Sequence, residues 1–194
     1  MTQFTERQKN IIEASIKLIS EKGIQQLTIK NISKKLGISE PAIYRHFESK
    51  LDILLAILAN FKNNAQEIVQ QNRSIESSAF DQIEMRFAAH LKQFVLSPAI
   101  AAVVFSEEIF QNDKKLAKEV AAIMQLNQEA VSTLVEKGQR KNEIRTDIPG
   151  EQISLIIMGS LRLLVTKWRL SDYSFNLEQE GAALWQSIKK LIER

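Results

Sequence analysis

The sequence predicts an all-α fold of about nine helices. It is expected to comprise an N-terminal three-helix head containing a helix-turn-helix and a larger C-terminal helical bundle. Three observations carry this. Apolar residues recur three and four apart along nearly all of the 194 residues. No run alternates as a strand would, and no internal repeat appears. The three prolines and six glycines sit mostly where helices would start or stop.

Helix 1 is expected from Thr5 to Lys22, with its apolar stripe among Ile11, Ile12, Ala14, Ile16, Leu18 and Ile19. Gly23 suits the left-handed position after it. Thr28 caps helix 2, whose inward positions are Ile29, Ile32 and Leu36, and Gly37 closes it. The turn is Gly37-Ile38-Ser39. Ser39 caps helix 3, and Pro41 falls in its first turn, where a missing N–H costs nothing. Ile43 and Phe47 point back toward helices 1 and 2. Ser49-Lys50-Leu51-Asp52 fits a capping box that opens helix 4, running to about Gln71. Asn72 to Ser77 reads as a linker. Helix 5 continues to about Leu96, with Phe80, Ile83, Phe87, Leu91 and Phe94 three or four apart. Pro98 marks a break, and Ala99 to Phe110 is a short apolar helix. Asp113 caps a long helix reaching about Gln139, and Lys141 to Thr146 is a loop. Asp147 and Pro149 start the next helix, to about Leu170. Ser171 to Asn176 connects to a last helix, Leu177 to Glu193. The expected division is a head of residues 1–50 and a body of residues 51–194.

Hydrophobic content of 44% and charged content of 25% are ordinary for a soluble domain. The absence of cysteine excludes disulfides and thiolate metal sites, and a cytoplasmic setting is expected. Two histidines argue against a His-rich metal site. MTQFTERQKN is too polar for a signal peptide, and the most apolar region, Ile153 to Trp168, is interrupted by Gly159, Ser160, Arg162, Thr166 and Lys167, so no membrane span is expected. The formal net charge of +3 is uneven. Residues 1–50 hold nine Lys and Arg against five Asp and Glu, and the remainder holds 17 against 18. A basic head on a near-neutral body suits a phosphate-facing partner.

The segment TIKNISKKLGISEPAIYRHFESKLDIL, residues 28–54, is the most informative stretch. Its pattern of Thr28, Ile32, Leu36-Gly37-Ile38-Ser39, Ile43-Tyr44, His46-Phe47, Lys50 and Leu54 resembles the TetR family of bacterial transcriptional regulators. Length, helix count and N-terminal placement agree with that resemblance. Ser33, Ile38 and Ile43 depart mildly from the family's usual alanine, valine and leucine. The resemblance implies a DNA-reading head and a body that dimerises and holds a small molecule. The body resembles the family only in size and helicity, so the effector does not carry over.

The residues expected to touch DNA are Thr28, Lys30, Ser39, Glu40, Pro41, Ala42, Tyr44, Arg45, His46 and Lys50. Thr28 stands at a helix N-terminus, where hydroxyl and N–H groups can meet a phosphate, although a simple cap explains it too. The family places phosphate contacts at the Tyr44 and His46 positions; the bland alternatives are a packed tyrosine and an incidental surface histidine. Lys50 opposes the dipole at a helix start, which makes sense if a phosphate sits there; the alternative is a solvated lysine. Arg45 could pair with guanine and Ala42 with a thymine methyl. Glu40 either accepts from cytosine or merely compensates a helix dipole. Lys30, Lys34 and Lys35 add general attraction or form a solvated face.

In the body, Ile153, Ile157, Leu161, Leu164 and Trp168, with Leu184, Trp185 and Ile188, are expected to serve a dimer surface built from the last two helices of each subunit, some of them shared with core. Phe87, Phe94, Phe105, Phe110, Met124 and Met158 could line a pocket, with Arg162, Glu107 and Glu108 as polar candidates; plain core and a structural ion pair are the alternatives. The expected activity is that of a homodimeric repressor of a near-palindromic DNA operator, its half-sites about one helical turn (roughly 34–36 Å) apart. A small-molecule effector would release it through helix 4. No cofactor, metal, catalytic residue or membrane partner is expected. The alternative is a helical ligand-binding or scaffold protein whose helix-turn-helix only packs. An enzyme has no support, because no nucleophile–base motif, phosphate-cradling glycine loop or metal-ligand cluster is found.

Overall fold

A computed structural model describes residues 4–71, 77–105 and 113–194, with 63–71 described as backbone. Nine α-helices lie among the described residues: α1 (Glu6–Lys22), α2 (Ile29–Leu36), α3 (Glu40–Tyr44), α4 (Lys50–Gln71), α5 (Ala79–Leu96), α6 (Pro98–Val104), α7 (Lys114–Arg140), α8 (Gly150–Leu170) and α9 (Leu177–Ile192). The chain is all-α, as expected; the one extended pairing among the described residues is an isolated bridge, Ile144 to Glu193. The expected linker falls largely on residues 72–76, and Glu107, Glu108 and Phe110 also lie outside the described residues.

Helix boundaries follow local capping. Thr5 and Gln8 form a reciprocal capping box on α1. Thr28 Oγ1 accepts from Asn31 N at 3.1 Å on α2, and Asp113 accepts from Lys115 N and Leu116 N on α7. Gly37 is left-handed at φ 64°, ψ 33°, and closes α2. Three local expectations differ. Gly23 has φ 80° but ψ 164°, a region only glycine enters easily, and it leads into a short 3-10 turn at Ile24–Gln26. Ser39 stands at the N-cap of α3 but makes no side-chain cap. A cap side chain takes the N–H of the second or third helical residue; Pro41 has none, and Ala42 N donates to the Ser39 carbonyl at 3.0 Å. Asp147 does not cap α8, because its carboxylate is forked on Arg145 at 2.7 and 2.6 Å; the helix begins after Pro149.

The chain packs as two compact units. One comprises residues 1–64 with 97–120, the other 65–96 with 121–194. In the first, α1 packs on α2, on the 3-10 turn and on α6, and α2 packs on α3. Ile11, Ile12, Leu18, Ile32, Ile43 and Phe47 are buried in it. In the second, α9 packs on α5 and α8. Phe87 and Trp185 meet with ring centroids 5.9 Å apart, and Lys189 lies over the Phe80 ring. The α8–α9 turn puts Asp172 and Tyr173 at positive φ, and Tyr173 is held edge-on to Trp168.

One closed knot in the second unit is at Gly138. A Cβ there would lie 2.6 Å from Ile144 Cδ1 and 3.0 Å from Ala79 Cβ, both on fully buried residues. Glu143 also accepts from Ala79 N at 2.9 Å. Alanine gains about 1 kcal/mol of helix propensity, but a methyl forced into a closed core costs about 1–3 kcal/mol. Gly138→Ala is therefore expected to lower the melting temperature by several degrees in a calorimetric scan, at about 2–4 °C per kcal/mol.

Candidate functional site

The reading surface is built on the α2–α3 turn. α3 is only five residues long, and buried Ile43 and Phe47 anchor it from beneath. Gln8 of α1 donates from Nε2 to the His46 carbonyl at 3.4 Å, tying the segment after α3 to the start of α1. Buried Ser33 is satisfied by the Lys30 carbonyl at 2.9 Å, so its departure from alanine leaves nothing unpaired. Lys35 is anchored on Glu21 at 2.7 Å, which fastens α2 to α1. That lysine also holds the Glu21 carboxyl below its usual range.

With the apolar side turned in, the polar side is left out. Thr28, Lys30, Lys34, Ser39, Glu40, Pro41, Tyr44 and Arg45 are exposed; Ala42, His46 and Lys50 are half-buried. Tyr44 is 50% exposed, which sets aside the packed-tyrosine alternative. Arg45 and His46 lie just past the end of α3, in the turn that must reverse the chain before α4 begins. Arg45 keeps helical dihedrals, and its N–H still donates to the Pro41 carbonyl at 3.3 Å. Ser49 and Asp52 cap the start of α4: Asp52 N donates to Ser49 Oγ at 3.2 Å, and that hydroxyl donates to Asp52 Oδ2 at 2.7 Å. Lys50, the first residue of α4, is pushed below the usual ammonium pKa by partial burial. An ammonium partly stripped of water beside a helix N-terminus gains by meeting an anion.

In the body the expected dimer residues are largely interior. Ile153, Ile157, Leu161, Trp168, Trp185 and Ile188 are buried within the single chain, so their side chains fill its own core; Leu164 and Leu184 are half-buried. The apolar residues left outward on α8 are Leu155, Ile156, Leu163 and Leu170, and Leu191 on α9. Sequence periodicity marks α8 as apolar but does not say which of its two apolar sides faces inward.

The expected pocket residues scatter. Phe87 and Phe94 are buried on α5, Met158 and Arg162 are half-buried on α8, and Phe105 falls in the first unit. Met124 is 43% exposed, because Leu116, Val120 and Ile123 define the inward line of α7 and residue 124 lies off it. A shallow crevice of about 70 Å³ between α5 and α9 is lined by Phe87, Leu91, Gly181 and Trp185, with Glu84 and Glu178 also on its wall. The reading from sequence missed His90 and Gln93, both buried on α5. The available signal was Arg86, His90 and Gln93 at i, i+4 and i+7, beside the apolar line of Phe80, Ile83, Phe87, Leu91 and Phe94. Burial, then the Arg86 charge, pushes the His90 imidazole down to about 4, against the opposing effect of its hydrogen bond with Asn127.

Known proteins match along this whole frame. The model for "Bacterial regulatory proteins, tetR family" matches residues 11–57, and that for "YsiA-like protein, C-terminal region" matches residues 56–192. The Fatty acid metabolism regulator protein of Bacillus subtilis is 22% identical over 192 residues, covering 99% of this chain and 96% of that one. The Nucleoid occlusion factor SlmA of Glaesserella parasuis is 26% identical over 197 residues, covering 96% and 92%. The crystal structure of the transcriptional regulator FadR from Bacillus subtilis in complex with stearoyl-CoA aligns with a TM-score of 0.75 at 22% identity, covering 94% and 96%.

His90 gives the protein a pH signature. Above about 6.5 the imidazole is neutral folded or unfolded and has no effect on stability. Below that the unfolded chain takes up a proton that the folded chain refuses down to about 4, so stability falls with pH. The loss from this group between pH 7 and 5 is expected to be roughly 2 kcal/mol. Urea unfolding at the two pH values checks it, and His90→Phe should flatten that slope.

Proposed function

Because this chain belongs to the tetR family of bacterial regulatory proteins, and is thus a DNA-binding transcriptional regulator, we propose that it acts as a homodimeric repressor released by a long-chain acyl thioester. The observation that carries the DNA reading is the exposed set Ser39, Tyr44 and Arg45 beside Lys50, presented around a five-residue helix whose apolar side is sealed by Ile43 and Phe47. In this reading residues 1–50 are the DNA head and 51–194 the regulatory body. Thr28, Tyr44, His46 and Lys50 hold phosphates, while Arg45 and Ala42, with Pro41 and Glu40 at the helix start, meet base edges. Ser39, whose hydroxyl is not used as a cap, joins the phosphate set.

The effector class is taken from the relatives, one named for fatty acid metabolism and one solved with stearoyl-CoA. The route to the head is α4. It begins at Lys50, fixed there by the Ser49–Asp52 cap, and runs unbroken to Gln71. An effector that displaces α4 moves Lys50 with it and changes the separation of two heads on one operator. The setting is the cytoplasm, where operator and acyl thioester meet.

The pairing surface is the outward stripe of α8. Leu155, Ile156, Leu163 and Leu170 are all exposed, and a Cβ at Gly159 would meet nothing within 4 Å. Together with Leu184 and Leu191 of α9 they form an apolar face that a second copy covers as a four-helix bundle. Leu163→Asp buries a charge in that bundle and is expected to give a monomer in sedimentation analysis, with helicity unchanged.

The DNA reading is tested by selecting bound fragments of a sheared bacterial genome with wild type and the Tyr44→Ala/Lys50→Ala double variant. Wild type should enrich one short palindrome, and the variant should bind it roughly tenfold or more weakly with a reduced salt slope. No enrichment by wild type would favour the scaffold reading. Sites scattered away from promoters would favour the role named for the nucleoid occlusion relative.

A further inference from the structure

The turn that carries Arg45 and His46 is held from two directions. From beneath, buried Ile43 and Phe47 anchor it. Its own N–H groups are met within the segment: Arg45 N donates to the Pro41 carbonyl at 3.3 Å, and His46 N and Phe47 N donate to the Ile43 carbonyl at 2.9 and 3.1 Å. The His46 carbonyl is different. It accepts from Nε2 of Gln8 at 3.4 Å, a residue 38 positions earlier, on α1. That carbonyl belongs to the planar peptide joining His46 to Phe47, so its direction sets how the chain leaves His46 and where the imidazole stands.

Gln8 is itself braced. It is the third residue of α1 and one half of the capping box. Its N–H donates to Thr5 Oγ1 at 3.2 Å, and its Oε1 accepts from Thr5 N at 3.0 Å and from the Thr5 hydroxyl at 3.2 Å. A main-chain N–H can only donate, so Oε1 must face Thr5 and Nε2 must face the other way, toward His46. The cap alone does not ask for glutamine. Glutamate closes the same box and adds a favourable charge at a helix N-terminus. A carboxylate, however, has no proton to offer a carbonyl. The amide at residue 8 is needed only for its second bond.

We propose that Gln8 is a positioning residue for DNA binding: its amide, braced by Thr5, orients the His46 peptide and so places the imidazole on its phosphate. The proposal rests on the reading above in which His46 holds a phosphate. α3 and the turn after it are too short to keep their own shape. A hydrogen bond weakens steeply with distance and angle, so a fixed donor narrows the positions His46 can take. Gln8 acts only through His46. Its bond is long, so a few-fold change in affinity is expected from its loss.

The test is operator binding by fluorescence anisotropy, on the palindrome that wild type selects, for wild type, Gln8→Glu, Gln8→Met, His46→Ala and the two double variants. Gln8→Glu keeps the α1 cap without the donor. Gln8→Met is uncharged and similar in length, and gives up both. Each is expected to weaken binding about three- to fivefold. In the His46→Ala background the same changes should have little further effect, because the group they position is gone. The full loss repeated in that background overturns the proposal, as does an unchanged affinity in Gln8→Met. Weakening by Gln8→Glu alone traces to repulsion between its carboxylate and the phosphates, and overturns it too. Thermal denaturation shows whether each variant is folded. Should Gln8→Met fail to fold, the Gln8→Glu cycle decides, since charge repulsion persists without the imidazole and positioning does not. A wild type that selects no operator overturns the DNA reading and this proposal together.

Discussion

A five-residue helix cannot hold its own shape in water, because one turn fixes several dihedrals for very few hydrogen bonds. The reading helix α3 is that short, so its geometry depends on the burial of Ile43 and Phe47. Their positions, four apart, define one side of α3 and the turn after it. Once that side is fixed, Tyr44 and Arg45 have to emerge on the other. The surrounding caps then remove the remaining freedom. Thr28 starts α2, Gly37 ends it with a left-handed residue, and Ser49 with Asp52 starts α4. The unit reads DNA with side chains it has no use for in its core.

The same economy explains what the body does with its apolar residues. α8 is apolar on more than one side, and the residues 153, 157, 161, 165 and 168 turn inward. That leaves Leu155, Ile156, Leu163 and Leu170 facing out, on a helix of 21 residues. Four large exposed hydrophobics along one stripe form a surface that a lone soluble chain seldom presents. α5 shows the reverse: half of its 18 residues are buried, and His90 and Gln93 are among them. Apolar outside and polar inside are both departures from simple burial.

Most of the helix map was legible in the sequence because helix ends are chemically local. Thr5, Thr28, Ser49 and Asp113 each act on a backbone two or three residues away, and Gly37 acts on itself. Where a boundary depended on something non-local, the expectation slipped. Asp147 is diverted by Arg145, and Ser39 is relieved of capping by the missing N–H of Pro41. Faces were less legible than ends. Ile157 and Ile156 are indistinguishable by composition, yet one is buried and the other half exposed. The choice between them is made by α5 and α9, not by α8. The DNA-facing residues were legible for the opposite reason: their pattern lies in one continuous segment. Aromatic and methionine content does not point to His90 and Gln93, whose burial depends on the helices packed against α5.

A dimer face sets the distance between two heads but cannot by itself respond to a ligand. An effector shifts an equilibrium by its differential affinity for two states, not by its total affinity. Long acyl chains supply affinity through area and are poor at such discrimination, since apolar contact tolerates small displacements. In the proposed reading that discrimination falls to α4, whose first residue, Lys50, is held by the Ser49–Asp52 cap, so a displacement of the helix is carried to the reading surface.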